Sequence, residues 1–377
     1  MDARRARVMR AVAIARRVAD RDDPLGNEAR GGLARHSGLS PEGVDLALGE
    51  HLEIDPSDDD LDALLAATDT APRCHVVLSA NVCTAALRAI ACATATAGVT
   101  FVRPSRRDPV LAAILTRELA ADAAFRAAGG SIARVGEVAP TSGDELHIYG
   151  SDETIATLSA GLAPGVVVRG HGTGLGVVVV EPDVNVDEAA YGIVCDVVPF
   201  DQRGCLSPRA VLAGGGSDRA GALAAAIARH LAARGAAVPR GPIDDATAAA
   251  ITRYRATIEA IGVLHTGADH AVGFDPEPRA LVLPPAARVI HVVATDATNA
   301  PVLLSPWAAH VTCVGAGGDG ALVRAAGAVV PRARRAILGR MQKPPLDGPV
   351  DLRRREPADA AVPVATRPGA GYRTQGS

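Results

Sequence analysis

Aromatic residues are nearly missing from this chain: nine in 377, made up of four Phe, four Tyr and one Trp. A sequence so poor in rings builds neither a stacking platform for bases nor an aromatic-lined sugar groove. A surplus of charge is missing as well, because the formal net charge is −3, and no nucleic-acid partner is expected. The six cysteines, Cys74, Cys83, Cys92, Cys195, Cys205 and Cys313, contain no Cys-x-x-Cys pair. A chain of this size needs no disulfide staples, so free thiols in a reducing cytoplasm are expected. No run of about 18 apolar residues occurs, so no membrane span is expected. The arginine-rich stretch Met1–Arg17 also lacks the apolar core and small-residue cleavage site of a signal peptide.

What is abundant is Ala, Val and Gly, in a chain that is 48% hydrophobic. That composition and length predict a tightly packed α/β protein of two domains. Residues 1–73 read as helical and charged, with the acidic run Asp55–Asp62 as a solvated helix start. From Cys74 strands and helices alternate: strands at 75–79 and 99–103 with helices at 84–96 and 108–128, then strands at 131–138 and 146–149, a helix at 152–161, and strands at 166–169 and 177–180. Such a succession implies a parallel sheet with right-handed crossovers. A second mixed block opens near Val186 with a helix to about Phe200, followed by strands at 209–213, 280–283 and 289–294 and helices at 218–235 and 244–262.

Between two apolar segments lies Asp201-Gln202-Arg203-Gly204-Cys205-Leu206. A thiol in a short polar loop is a candidate nucleophile, and Arg203 is placed to lower its pKa; an inert buried thiol is the alternative. Gly170-His171-Gly172-Thr173-Gly174-Leu175-Gly176 resembles a dinucleotide fingerprint, yet a strand follows it where the fingerprint needs a helix. A tight, glycine-permitted connection bordering a cleft is the better reading. Tyr149-Gly150-Ser151-Asp152-Glu153-Thr154 is the stronger phosphate candidate: a strand stops at a glycine, and Ser151 caps a new helix whose amides face outward. Asp152 and Glu153 serve equally well as ordinary capping acids. Arg103, Ser105, Arg106 and Arg107 follow a strand and suit a ribose phosphate, or simply solvent. Asn81, in Leu78-Ser79-Ala80-Asn81-Val82, can donate to a developing oxyanion or close a turn. His171 and Glu153 complete the acid–base candidates.

Ser79-Ala80-Asn81-Val82, Val102-Arg103-Pro104-Ser105, Tyr149 to Ile155, Asp201 to Pro208, Leu304-Ser305-Pro306-Trp307 and Met341-Gln342-Lys343-Pro344-Pro345-Leu346-Asp347 stand in a collinear order. Together they resemble the LuxC-type acyl-CoA reductases, the fatty-acyl reductase branch of the aldehyde dehydrogenase superfamily. The resemblance implies an aldehyde dehydrogenase-like α/β fold: a helical N-terminal module (1–73), a Rossmann-like nucleotide-binding domain (74–185), a catalytic domain (186–330), a return segment packing on the core (331–354) and a flexible tail (355–377). It implies that Cys205 is the nucleophile, and that Asn81 and the Cys205 amide hold the oxyanion. Gly150 and Ser151 would sit at the cofactor pyrophosphate, with Glu153 close by. Arg103 and Ser105 would lie near the adenosine ribose, where an arginine is consistent with NADPH. His171 stands where oxidising relatives carry a water-activating glutamate. A strand extension in this family usually pairs subunits, so a homo-oligomer is in view.

The activity implied is reduction of an acyl-CoA or acyl-carrier thioester to the aldehyde through an acyl-cysteine. Two other readings keep part of this: a cysteine acyltransferase without redox chemistry, and a catalytically silent binding protein. Arg4, Arg5, Arg7 and Arg10 are either a solvated helix face or a dock for an acidic carrier.

Overall fold

The computed structural model describes residues 2–353; the expected tail lies outside the described residues, as does the last residue of the expected return segment. Four helices open the chain: α1 (Ala3–Ala19), α2 (Pro24–His36), α3 (Pro41–Glu50) and α4 (Asp58–Ala66). Each begins on a side chain that accepts an otherwise unpaired amide, from Asp2, Asp23, Ser40 and Ser57 in turn. Ser57 and Asp60 cap each other reciprocally, and Asp58, Asp59 and Asp60 lie at the positive helix end. The acidic run is therefore a helix start.

A parallel sheet of five strands follows: β1 (Arg73–Val77), β2 (Val99–Arg103), β3 (Ser131–Arg134), β4 (Glu145–Tyr149) and β5 (Val167–His171), in the order β3-β2-β1-β4-β5. The winding reverses between β1 and β4, the kind of switch point at whose carboxyl edge ligands collect. The connecting helices are α5 (Ala85–Thr96), α6 (Val110–Ala121), α7 (Ala123–Ala127) and α8 (Asp152–Ser159). The single helix expected over 108–128 is broken, because the Asp122 carboxylate accepts from the Phe125 amide at 2.8 Å and starts a second helix.

The first helices are not a free-standing module. Ala11, Ile14, Ala15 and Val18 of α1 share one core with Val76 of β1, Leu87 and Ile90 of α5 and Leu115 of α6. Arg4, Arg7 and Arg10 are not a free face: each is engaged by a neighbouring element, although Arg10 stays 41% exposed. Arg4 donates to the carbonyls of Thr68 and Ala95, both at 2.7 Å, and Arg7 to those of Thr94 and Ala128 at 2.8 and 3.1 Å. Arg10 pairs with Asp122 at 2.6 Å, and Arg5 with Asp58 and Asp62 at 2.6 and 2.7 Å. The four arginines stitch α1 to its neighbours.

The second sheet has seven strands, ordered β12-β11-β6-β7-β10-β9-β8. They are β6 (Leu175–Val180), β7 (Pro208–Ala213), β8 (Val263–Thr266), β9 (Ala271–Asp275), β10 (Val289–Ala294), β11 (Val311–Gly317) and β12 (Arg334–Ile337), with α9 (Val186–Val197), α10 (Ser217–Ala237), α11 (Asp245–Ile261), α12 (Asn299–Leu304) and α13 (Ala321–Val329) packed around them. All pairings are parallel except β8 with β9. The stretch 175–180 was expected in the nucleotide-binding unit ending at 185; it lies inside this second sheet, and the change of sheet falls at 172–174. The reason is burial on both faces: Val177 and Val179 enter one core, Val178 and Val180 the other, as a central parallel strand requires. No strand forms at 280–283. Pro276, Pro278, Pro284 and Pro285 surround that segment and remove the amides a ladder needs.

Candidate active site at the seam of the two sheets

Cys205 is delivered by a strained turn. After α9 the backbone of Phe200, Asp201 and Gln202 holds φ values of 55°, 51° and 63°. Three consecutive non-glycine residues in this region cost on the order of 1–3 kcal/mol each, so neighbours must hold them there. Asp201 Oδ1 accepts from Arg288 Nε and Nη2 at 3.1 and 2.8 Å, and its Oδ2 accepts from the Gly241 amide at 3.0 Å. Gln202 accepts from the Val289 amide at 2.9 Å and donates to the carbonyls of Pro208 and Val289, both at 2.7 Å. The chain then passes through Gly204 and presents Cys205 just before β7. A Cβ on Gly176 would collide with the Leu206 carbonyl. The last glycine of the 170–176 run thus serves the cysteine loop, and the run itself is the crossover between sheets.

Two adjoining cavities meet here. One, of about 300 Å³, is lined by Cys205, Asn81, His171, Gly150 and Ser151 among others. The second, of about 670 Å³, is lined by Arg103, Ser105, Arg106, Arg107, Glu153 and again Asn81, Gly150 and Ser151. All eight residues singled out from the sequence line one cavity or both. The second lies at the ends of β1, β2 and β4, the switch point. Its volume is within the range of cofactor pockets. Ser151 caps α8, accepting from the Thr154 amide at 3.2 Å, so the start of that helix faces the cavity. Among the described residues no carboxylate lies within 4 Å of Arg103, Arg106 or Arg107. Unpaired guanidiniums beside a helix N-terminus fit the phosphates of a dinucleotide.

Burial pushes the Cys205 thiol up to about 11; Asp351 adds to this, while Arg353 and Arg88 act weakly in the other direction. Arg203, expected to lower it, does not face the sulfur. Its Nε donates to the Phe200 carbonyl at 3.0 Å and its Nη1 to that of Ser37 at 2.8 Å. At neutral pH Cys205 is therefore a thiol, and a base is needed.

His171 lies at the cavity wall, stacked on Tyr149 at 4.1 Å between ring centroids. Behind it runs a buried chain: His171 Nε2 to His147 Nδ1 at 3.2 Å, then His147 Nε2 to Glu145 Oε1 at 2.7 Å. Burial alone would raise Glu145, but the hydrogen bond from His147 and the charge of Arg169 hold it below the usual carboxylate range. With the ionised carboxylate accepting from His147 Nε2–H, His147 Nδ1 accepts from His171 Nε2–H, which leaves His171 Nδ1 with its lone pair. Burial, reinforced by His147 and Arg169, lowers His171 well below an ordinary histidine, so it is neutral. Glu145 and His147 were not singled out from the sequence. Their only signal is the alternation Glu145, His147, Tyr149 along one face of β4, whose partner strand cannot be read locally.

The segment after β12 closes the site. Buried Asp196 accepts from the amides of Gly339 and Met341 at 2.7 and 2.8 Å, and Arg88 donates to the carbonyls of Pro344 and Pro345 at 3.2 and 2.6 Å. This brings Gln342 to the Cys205 cavity, where its buried Nε2 has no partner among the described residues.

The fold is that of the aldehyde dehydrogenases. An NAD-dependent benzaldehyde dehydrogenase from Corynebacterium glutamicum is similar at a TM-score of 0.67 and 14% identity, over 92% of this chain and 81% of that one. An NAD-dependent aldehyde dehydrogenase from Sinorhizobium meliloti gives 0.63 and 15%, over 89% and 74%. A search of curated proteins finds no match. The family model for acyl-CoA reductase (LuxC) matches residues 66–325, and the chain belongs to that family. It is accordingly an oxidoreductase acting on acyl and aldehyde groups. Among the described residues no helix is long and apolar enough to cross a membrane.

Proposed function

We propose that this protein reduces an acyl thioester, carried by CoA or a carrier protein, to the aldehyde through an acyl group held on Cys205. The observation that carries this reading is one cavity shared by a thiol, an amide and a neutral histidine, adjoining an arginine-lined cleft. His171 Nδ1 takes the Cys205 proton, and the imidazolium so formed is stabilised through His147 by Glu145. The thiolate adds to the thioester carbon while Asn81 and the Cys205 amide receive the oxyanion. Collapse expels the CoA thiolate, which takes the proton back from His171. Hydride for the acyl carbon is the contribution of a nicotinamide dinucleotide held at Gly150 and Ser151. The resulting thiohemiacetal breaks its C–S bond, releasing aldehyde and regenerating Cys205. The balance is one thioester, one reduced cofactor and one proton converted to aldehyde, free thiol and oxidised cofactor.

Arg103, which has no carboxylate partner among the described residues, with Ser105 beside it, favours a 2′-phosphate and hence NADPH. Six free thiols fit a reducing cytoplasm. Intact-protein mass spectrometry after mixing with acyl-CoA, without cofactor, should show one acyl adduct that Cys205→Ala abolishes. No adduct on the wild type, or an undiminished one on the variant, overturns the mechanism. An adduct formed without any fall in NADPH absorbance on adding cofactor would favour the acyltransferase reading.

A further inference from the structure

We infer that the Cys205 cavity takes a short acyl group ending in a carboxylate, which Arg209 anchors. This rests on the acyl-cysteine reading above and names its substrate class. Size comes first. A cavity of about 150 Å³ holds one benzene, so the space of about 300 Å³ around Cys205 accommodates a thioester and a short acyl group.

Charge then selects among short groups. The other ionic side chains at this wall are matched: Arg88 with Glu53 at 2.8 Å, and Asp351 with Arg353 at 2.6 Å. Arg203 is turned to the carbonyls of Ser37 and Phe200. Arg209 is different. It lines the same cavity, yet among the described residues no carboxylate lies within 4 Å, and its one hydrogen bond runs from Nη1 to the Pro284 carbonyl at 3.0 Å. Its Nε is buried with no partner. Burial pulls the guanidinium down to about 10 with no acid acting against it. A part-buried guanidinium with no carboxylate among the described residues and an unpartnered Nε is costly, and a ligand anion relieves the cost.

The backbone explains how Arg209 comes to face the site. Gly176 pairs with Pro208 and Val177 with Ala210, so Arg209 is the extra residue of a β-bulge. Bulges re-aim side chains beside active sites. Arg209 is also four residues beyond Cys205, so thiol and guanidinium are set by one short piece of chain. A neutral alkyl chain would have to lie against the bare guanidinium and leave its donors unpaired, which penalises fatty acyl groups.

The test compares glutaryl-CoA with butyryl-CoA, and the N-acetylcysteamine thioesters of the same acids, reading the rate of Cys205 acylation by mass spectrometry. The wild type should prefer the glutaryl group by roughly 10- to 100-fold with either carrier, Arg209→Gln should erase that preference, and Arg209→Lys should restore part of it. Equal or faster butyrylation by the wild type overturns the inference and leaves the acyl-cysteine reading standing. Loss in Arg209→Gln confined to the CoA esters would mean that Arg209 meets a CoA phosphate, which also overturns it. Absence of any adduct from all four thioesters removes the underlying reading and this one together.

Discussion

The two cavities that meet at the seam are built in opposite ways. The larger one is assembled from three short runs at adjacent strand ends of one sheet, each shaped locally: Ser151 caps the helix that begins at the next residue, and Gly150 and Tyr149 end the strand before it. The smaller one is assembled from distant pieces. Asp201 is held by Arg288, the Cys205 carbonyl accepts from Thr312, and Gln342 arrives on a segment clamped by Asp196 and Arg88. A dinucleotide cleft needs only the exposed end of a helix and a nearby positive charge, which local structure supplies. A nucleophile must be held in one orientation, which demands strain and distant bracing.

That contrast can be broken in order of expected effect. Asp201→Ala leaves buried Arg288 with only Asp269 and the Val238 carbonyl as partners and unbraces the turn. It should cost about 3 kcal/mol in urea unfolding and slow Cys205 acylation in the same protein. A stability loss under 1 kcal/mol with full acylation would remove the claim that the turn is braced from afar. Asn81→Ala should slow turnover by about 10²–10³ through the oxyanion while leaving unfolding unchanged; a change confined to KM would reassign it to binding. Alkylation of Cys205 by iodoacetamide should rise by about tenfold per pH unit from 7 to 10 and level off near about 11, because only the thiolate reacts. A plateau reached by pH 8 would mean that the thiol is activated without ligand. Ser151→Ala should cost about 1 kcal/mol of stability and weaken dinucleotide binding modestly, with acylation intact. An acylation defect in that variant would show that the two cavities are not separable.

Reading residues in order recovers much of this molecule, and its failures have a pattern. Strand 99–103 and the helix capped by Ser151 are visible because their hydrogen bonds and burial are set within a few residues. The break at Asp122 rests on a local cap to the Phe125 amide, to which Arg10, more than a hundred residues earlier, adds a contact that holds the carboxylate. Segment 175–180 was assigned to the wrong sheet because an all-apolar strand declares that it is buried, not which partners bury it. Cys205 was picked out by its polar loop. The error lay in Arg203, adjacent in sequence yet turned toward Ser37. Glu145 and His147 gave no warning, since two polar residues on a strand are unremarkable until His171 is placed against them.

The order of residues alone determined where most helices and strands between about 73 and 262 begin, that a thiol would stand in a loop, and that a serine-capped helix would follow a glycine at a strand end. Those properties depend on backbone geometry and on groups within a turn of one another. Tertiary packing decided that Cys205 rests as a thiol, that a His–His–Glu chain runs behind it, and that Arg209 meets the cavity with no carboxylate beside it among the described residues. Desolvation and charge pairing are properties of whatever surrounds a group in space, and for these residues the surroundings come from strands and loops far away in the chain.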